Sequence, residues 1–171
     1  SNNIGELENK FNAIKILDPA CGSGAFLIKA TEILFEIFEK MQYIKESFGK
    51  YKASRGLKRR SNFKEQITLK KWNEKEEIKN IIENSIFGVD INEESVEITK
   101  LSLFLKIARD DKKLIDLSKN IKQGNSLIND ERVAGKLAFN WDNEFHFKFH
   151  VIIGNPPYGA KLDKQEVDFV K

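Results

Sequence analysis

The chain has 171 residues, of which 40% are hydrophobic and 32% charged, and its formal net charge is +3. This length and composition predict one well-packed domain and exclude a disordered or fibrous protein. The single cysteine excludes an intrachain disulfide, and the lack of a signal peptide or a long apolar run predicts a cytoplasmic protein without a membrane segment.

The first predicted unit is a buried strand, Ala13 to Leu17, followed by a loop and a long helix. Apolar residues recur in this helix at spacings of three and four, which predicts one apolar face. We expect that face to pack on a sheet and to bind no ligand. It comprises Phe26, Leu27, Ala30, Ile33, Leu34, Ile37, Phe38 and Met41.

The loop after this strand contains Gly22 and Gly24, which let the backbone approach a ligand closely. It does not match the dinucleotide fingerprint G-x-G-x-x-G, because the last glycine position is Leu27. Together with Asp18 and Ser23, the glycines predict a shallow cup for an amino acid. The carboxylate of that ligand would face the loop amides, and its ammonium group would face Asp18.

A basic segment, Lys50 to Lys71, follows the long helix. It holds nine lysines or arginines and one acid, so it carries +8 while the remainder of the chain carries −5. Such a segment is typical of a surface that contacts a phosphate backbone, and it is equally typical of a solvated loop. Both interpretations stay open on composition alone.

The next unit is a short helix, Glu74 to Asn84, and a second strand, Ser85 to Val89. Asp90 ends this strand, where a carboxylate is placed either to bind ribose hydroxyls or to cap a helix. Asn92 is the expected N-cap of a further helix whose apolar residues are Val96, Leu101, Phe104, Leu105 and Ala108.

Two further strands, the third of them weaker, complete the pattern. The third is Asn120 to Gln123, closed by Gly124-Asn125-Ser126. The fourth is predicted from Phe145 to Ile153, because phenylalanine alternates with polar residues up to Val151. The interleaved His146 and His150 are expected to be buried and partnered within the fold, and their spacing alone is no metal site.

Strands separated by helices predict an α/β fold, with a parallel sheet covered on both faces. Ligands bind such sheets outside the carboxyl ends of the strands. The four strands end near Asp18, Asp90, Asn125 and Asn155, so we expect these side chains to converge on one crevice.

The stretch Asn155-Pro156-Pro157-Tyr158 predicts chemistry on an amino nitrogen. The amide oxygen of Asn155 and a carbonyl that precedes a proline offer two acceptors for one NH2 group, and Tyr158 offers a flat apolar face. Two consecutive prolines also simply terminate a strand, which is the alternative for the motif by itself.

Four motifs in this order resemble those of the S-adenosylmethionine-dependent DNA adenine-N6 methyltransferases, above all the modification domains of combined restriction and modification enzymes of type IIG. The motifs span residues 18–27, 86–91, 124–127 and 155–158. The resemblance implies a Rossmann-like class I methyltransferase fold. The chain would supply its first four strands, ordered 3-2-1-4.

The resemblance also assigns roles to residues. Asp90 would bind the cofactor ribose, Ile91 a face of the cofactor adenine, and Asn125 with Ser126 its polar edge. Tyr158 would stack on an adenine flipped from double-stranded DNA. Asn155 and the Pro156 carbonyl, followed by Pro157, would accept the protons of its amino group. The methionine part would be bound by Asp18, Pro19, Ala20, Cys21, Gly22 and Gly24.

On this interpretation residues 1–171 are part of a catalytic domain, with a basic insertion at about residues 48–73 and no target recognition domain. We expect S-adenosylmethionine as cofactor, S-adenosylhomocysteine as product and no metal. The parent protein would contact DNA and could carry endonuclease and specificity domains, and the fragment alone would be inactive. Two alternatives remain: a methyltransferase of protein glutamine or of RNA exocyclic amines, and a module that binds the cofactor without catalysis.

Overall fold

Four parallel strands form one sheet in the computed structural model, which describes residues 2–54, 73–107, 115–156 and 167. The strands are β1 (Ile16–Asp18), β2 (Ile86–Asp90), β3 (Ile121–Gln123) and β4 (Val151–Ile152). Their order, β3-β2-β1-β4, confirms the predicted α/β fold with a Rossmann-like strand order.

Helices connect the strands. Three of them match the predicted helical segments, whereas the first helix and two helices of four residues were not predicted. The short ones give no measurable periodicity and are recognisable only by their caps, Asp130 and Asn140. The helices are α1 (Asn2–Ala13), α2 (Ala25–Ser54), α3 (Glu74–Ser85), α4 (Glu93–Ile107), α5 (Glu131–Ala134) and α6 (Trp141–Glu144), with a 3-10 turn at Gly135–Leu137.

Two asparagines fix helix ends next to the sheet. Asn92 caps α4 as predicted, because its Oδ1 accepts from the N–H groups of Glu94 at 2.7 Å and Ser95 at 3.2 Å. Asn120 is buried and lies just before β3. Its Nδ2 donates to the carbonyls of Ile82, Glu83 and Ile86, where α3 passes into β2.

Each face of the sheet has its own apolar core. Paired residues of parallel strands project to the same face, so Ile16 and Ile86 belong to one core, and Leu17 and Phe87 belong to the other. Helices α1 to α4 cover the first face with Phe11, Leu27, Ala30, Leu34, Met41, Ile81, Ile82, Val96 and Leu103. The second face is covered by Phe139 and Phe145, with Trp141 and Phe149 packed against them.

The predicted fourth strand is mostly wrong. Only Val151–Ile152 pairs with β1, whereas Phe145, Phe147 and Phe149 pack around Phe87. Their ring centroids lie 4.9 to 5.7 Å from the ring of Phe87, on the same side of the sheet. The alternation therefore reflects a cluster of aromatic rings, in which edge-to-face contacts replace the ladder of an extended strand.

The expected burial of the two histidines is also wrong, because His146 and His150 are exposed. His150 nevertheless has a partner, since its Nδ1 accepts the backbone N–H of Lys15 at 3.1 Å. The backbone N–H of His150 donates to the Lys15 carbonyl at 2.9 Å, so both bonds hold the chain before β4 against the start of β1.

The apolar face of α2 is only partly used for packing. Leu27 and Leu34 are buried as predicted, whereas Phe26, Ile33 and Ile37 are 48%, 46% and 40% exposed. The apolar arc is wider than the contact with the sheet, so its outer edge faces away from the core. Within the described residues, no helix combines the length and apolar character needed to cross a bilayer.

Candidate cofactor-binding site

The candidate site lies where the strands end. Asp18 and Asp90 are the last residues of the neighbouring strands β1 and β2. Asn125 comes two residues after β3, and Asn155 three residues after β4. Because the strands are parallel, all four positions lie beyond the same edge of the sheet. Hydrogen bonds between the loops show how closely three of these strand ends meet.

The loop after β1 is joined to the end of β2. The backbone N–H of Gly22 donates to Oδ2 of Asp90 at 2.8 Å, and the N–H of Asn92 donates to Oδ1 at 2.9 Å. Asp90 is therefore held on both oxygens. Each carboxylate oxygen has further acceptor capacity, so these bonds leave room for donors such as ribose hydroxyls.

The same loop is joined to the loop after β3. The hydroxyl of Ser126 donates to the Pro19 carbonyl at 2.5 Å, and Nε1 of Trp141 donates to the Ser126 carbonyl at 3.1 Å. Asn125 is 8% exposed, and its Oδ1 accepts the N–H of Leu127 at 3.1 Å. Ser126 thus links the predicted amino acid cup to the predicted adenine side of the site.

Two glycines give the loop its shape. Gly22 and Gly24 have φ values of +52° and +81°, where L residues are strained. A Cβ on Gly24 would lie 2.9 Å from Cγ2 of Thr99, whereas a Cβ on Gly22 would meet no atom of the described residues within 4 Å. Gly24 is required for close packing, and Gly22 borders open space.

Asp18 carries the clearest sign of a binding role. Its side chain is fully buried, Oδ1 accepts the N–H of Ala20 at 3.1 Å, and Oδ2 has no hydrogen-bond partner among the described residues. Burial raises the pKa of Asp18, the bond from Ala20 lowers it, and the charge of Asp90 raises it further. An unpartnered buried carboxylate oxygen fits an ammonium group of a ligand.

The loop after β4 passes directly over Asp18. A Cβ on Gly154 would lie 2.7 Å from Oδ1 of Asp18, so a side chain at this position would collide with the carboxylate. The backbone N–H of Ile153 donates to the Leu17 carbonyl at 2.8 Å. Asn155 and Pro156, which follow Gly154 directly, are exposed. Pro157 and Tyr158 lie outside the described residues.

Cys21 and Ile91 differ in what they offer a ligand. The Cys21 side chain is 5% exposed and packs in the core, and its burial raises the pKa of the thiol to about 12. Its backbone N–H donates to the Val89 carbonyl at 3.0 Å. Ile91, directly after Asp90, is 52% exposed and offers an apolar surface beside the site.

Sequence reasoning missed Thr99. This residue of α4 is fully buried, and its hydroxyl donates to the Gly22 carbonyl at 2.7 Å. The sequence carried no signal for it, because the apolar residues predicted for this helix were Val96, Leu101, Phe104, Leu105 and Ala108, whereas the buried ones are Val96, Thr99 and Leu103. The side chains of the basic segment Lys50–Lys71 lie outside the described part of the chain.

A cavity of about 530 Å³ lies elsewhere, between α2, α3 and α4. Its described lining includes Phe35, Ile78 and Leu105, and it includes none of the predicted site residues.

Comparison with known proteins identifies a family. The family model described as Eco57I restriction-modification methylase matches residues 84–170, about half of the chain. These residues include β2, the Asp90 position, the loop after β3 and the Asn155-Pro156-Pro157-Tyr158 stretch.

Individual relatives extend the likeness towards the N-terminus. RM.Eco57I of Escherichia coli, a type II restriction enzyme and methyltransferase, is 31% identical over 92% of this chain. RM.MjaORFECS2P of Methanocaldococcus jannaschii is 32% identical over 70% of it. BrxX of Escherichia coli, an adenine-specific methyltransferase, is 27% identical over 60% of it. The chain spans 16%, 9% and 6% of the length of these relatives, respectively.

Proposed function

Because this chain belongs to the Eco57I restriction-modification methylase family, we propose that it binds S-adenosylmethionine for methylation of the N6 amino group of adenine in DNA. The observation that carries the proposal is Asp18, whose buried Oδ2 lacks a partner among the described residues. The Asp18 carboxylate lies beneath Gly154, in the chain segment that leads to Asn155. In this proposal Asp18 binds the cationic group of the cofactor, and the acceptors for the target amine follow the segment that covers Asp18.

The first part of the proposed site binds the cofactor. Asp18 accepts hydrogen bonds from the ammonium group of the cofactor, and the loop with Gly22 and Gly24 lies beside the methionine part. Asp90 accepts from the ribose hydroxyls, because its position at the end of β2 is typical of ribose binding in such sheets. Ile91 covers a face of the cofactor adenine, and Asn125 with Ser126 lines its polar edge.

The second part of the proposed site acts on the target amine. The lone pair of an aromatic amine is delocalised into the ring, so the amine is a poor nucleophile. The Asn155 amide oxygen and the Pro156 carbonyl accept hydrogen bonds from its two N–H groups and thereby favour a localised lone pair. The N6 proton that methylation displaces is lost to solvent. Tyr158 stacks on the flipped base, which would otherwise return to the duplex.

When bound, the cofactor supplies the electrophilic methyl group, and S-adenosylhomocysteine remains as product. The protein contributes alignment of the amine with that methyl group, and alignment lowers the barrier by removing the entropy cost of bringing the reactants together. Asp18, the last residue of β1, and Asn155, three residues after the adjacent strand β4, are proposed to hold the two reactants.

The whole protein, of which this chain is proposed to be a part, would act on double-stranded DNA in the cytoplasm. The basic segment Lys50–Lys71 is proposed as a contact to the phosphate backbone. Specificity and endonuclease activity are assigned to other parts of the parent polypeptide, consistent with the greater length of the relatives. For residues 1–171 we propose cofactor binding, with catalysis completed only in the parent protein.

Calorimetry with S-adenosylhomocysteine tests the cofactor part of the proposal. We expect the wild-type chain to bind and Asp18→Asn to lose at least tenfold in affinity, because the ammonium group then faces a neutral amide. Asp142→Asn, which removes an exposed carboxylate from α6, is the matched control and should bind normally. A wild-type chain that does not bind the ligand would refute this part.

Methyl incorporation by the parent protein tests the substrate. Duplex DNA should accept label, and DNA already methylated at adenine N6 within the target sites should not. RNA and glutamine-containing protein are the competing substrates. Label found only in protein or only in RNA would overturn the DNA assignment while leaving the cofactor assignment intact.

A further inference from the structure

The peptide groups on both sides of Gly22 are held by different elements. Its N–H donates to Asp90 at the end of β2, and its carbonyl accepts the hydroxyl of Thr99 on α4. Gly22 has a positive φ, and glycine moves readily among several backbone conformations. These two hydrogen bonds therefore hold Gly22 in one of the backbone conformations that are open to a glycine.

Thr99 also supports the following glycine. A Cβ on Gly24 would lie 2.9 Å from Cγ2 and 3.0 Å from Oγ1 of Thr99, so the loop backbone rests on this side chain. Thr99 is fully buried, and its hydroxyl lies 3.9 Å from Sγ of Cys21. It therefore contacts the loop from the core side, away from the open space beside Gly22.

We propose that Thr99 is a positioning residue for the cofactor, acting through the Gly22 carbonyl to keep the loop after β1 in its binding conformation. The inference rests on the proposed function, because it assumes that this loop binds S-adenosylmethionine. Thr99 does not touch the ligand. It reduces the entropy that the loop loses on binding, so its effect falls on affinity.

Three variants separate this role from simple stabilisation. Thr99→Val keeps the shape of the side chain and removes the hydroxyl, and Thr99→Ser keeps the hydroxyl. Thr31→Val is the matched control, because Thr31 is also buried, at 2% exposure. Its hydroxyl donates to the Leu27 carbonyl at 2.8 Å, within helix α2 rather than to the loop.

Calorimetry with S-adenosylhomocysteine gives the first readout. We expect Thr99→Val to raise Kd about tenfold, corresponding to about 1.4 kcal/mol. Thr31→Val and Thr99→Ser should stay within threefold of the wild type. An unchanged Kd in Thr99→Val, or an equal loss in Thr31→Val, would overturn the proposal, since either result makes Thr99 a structural residue only.

Hydrogen exchange without ligand gives the second readout. The amides of Gly22 and Gly24 should exchange at least tenfold faster in Thr99→Val, while those of β2 change no more than in Thr31→Val. Unchanged exchange of the loop amides refutes loop positioning. If the wild-type chain fails to bind S-adenosylhomocysteine, the proposed function fails, and the exchange data still decide whether Thr99 orders the loop.

Discussion

The backbone N–H of Gly22 donates to Oδ2 of Asp90 at 2.8 Å, although the two residues are 68 positions apart. The bond joins the loop after β1 to the end of β2. Oδ1 of Asp90 accepts the N–H of Asn92, next to the start of α4. One carboxylate therefore sets the relative positions of two strand ends and a helix, and any ligand between them meets a preformed surface.

Removal of this carboxylate should loosen the site. We expect Asp90→Ala to lower the free energy of unfolding by about 1–3 kcal/mol, because two backbone donors lose their partners. Asp90→Asn retains one carbonyl oxygen and should show a smaller loss. Urea denaturation measures the effect, with Asp142→Ala as the exposed control. Equal stability of Asp90→Ala and the wild type would contradict the prediction.

Asp18 should make the free energy of unfolding fall as the pH rises, whereas most acidic residues make it rise. Burial raises the pKa of its carboxyl in the folded state, so the folded protein holds this proton more tightly than the unfolded chain. The contribution to stability is full below the unfolded pKa of about 4 and falls as pH rises through the folded pKa. The ionised buried carboxylate therefore costs stability at neutral pH.

Asp18→Asn should remove this pH-dependent loss. The amide can keep the bond from Ala20, and we expect Asp18→Asn to be more stable than the wild type at pH 7 and to show no gain at pH 3.5. Denaturation of both proteins from pH 3.5 to 8 measures the difference, in which other carboxylates cancel. A variant less stable than the wild type at pH 7 would show that the carboxylate is satisfied in the folded protein.

The two loop glycines should differ in their tolerance of alanine. Gly24→Ala combines a positive φ with contact to Thr99, and we expect a loss of about 3 kcal/mol. Gly22→Ala has the positive φ but open space, so about 1 kcal/mol is expected. Thermal or urea unfolding compares the two variants, and a Gly22→Ala loss equal to that of Gly24→Ala would contradict the packing argument.

Asn120 should be one of the more sensitive buried polar residues. Its Nδ2 donates to three carbonyls at 2.9 to 3.1 Å, so Asn120→Asp replaces these bonds by repulsion between oxygens. We expect a loss of about 3 kcal/mol or more in the free energy of unfolding. Asn143→Asp, at an exposed position on α6, should be close to neutral. A small effect at Asn120 would argue against its role at the junction of α3 and β2.

The Cys21 thiol should be unreactive in the folded protein. Burial raises its pKa to about 12, so very little thiolate is present at pH 8, and the side chain is 5% exposed. We expect alkylation by iodoacetamide at least a hundredfold slower than in 8 M urea, measured by mass spectrometry. Rapid labelling under native conditions would show that the loop after β1 opens readily.

Much of the fold was predictable because its signals are local. The apolar spacing in α2 and the cap of α4 at Asn92 each lie within a few residues of the element that they specify. The strand predicted over Phe145 to Phe149 was wrong, because it was inferred from a local pattern alone. Its alternation is compatible with a strand, and only contact with the distant Phe87 turns it into a cluster.

The candidate site was also predictable only in part. The sequence by itself determined which side chains follow each strand, namely Asp18, Asp90, Asn125 and Asn155, since strand ends and turn residues are local properties. Only the tertiary structure decided which of them are held by the protein and which are left with an unpartnered oxygen. The bonds from Gly22 to Asp90 and from Thr99 to Gly22 join residues that meet only through strand pairing and helix packing, and no local pattern encodes them.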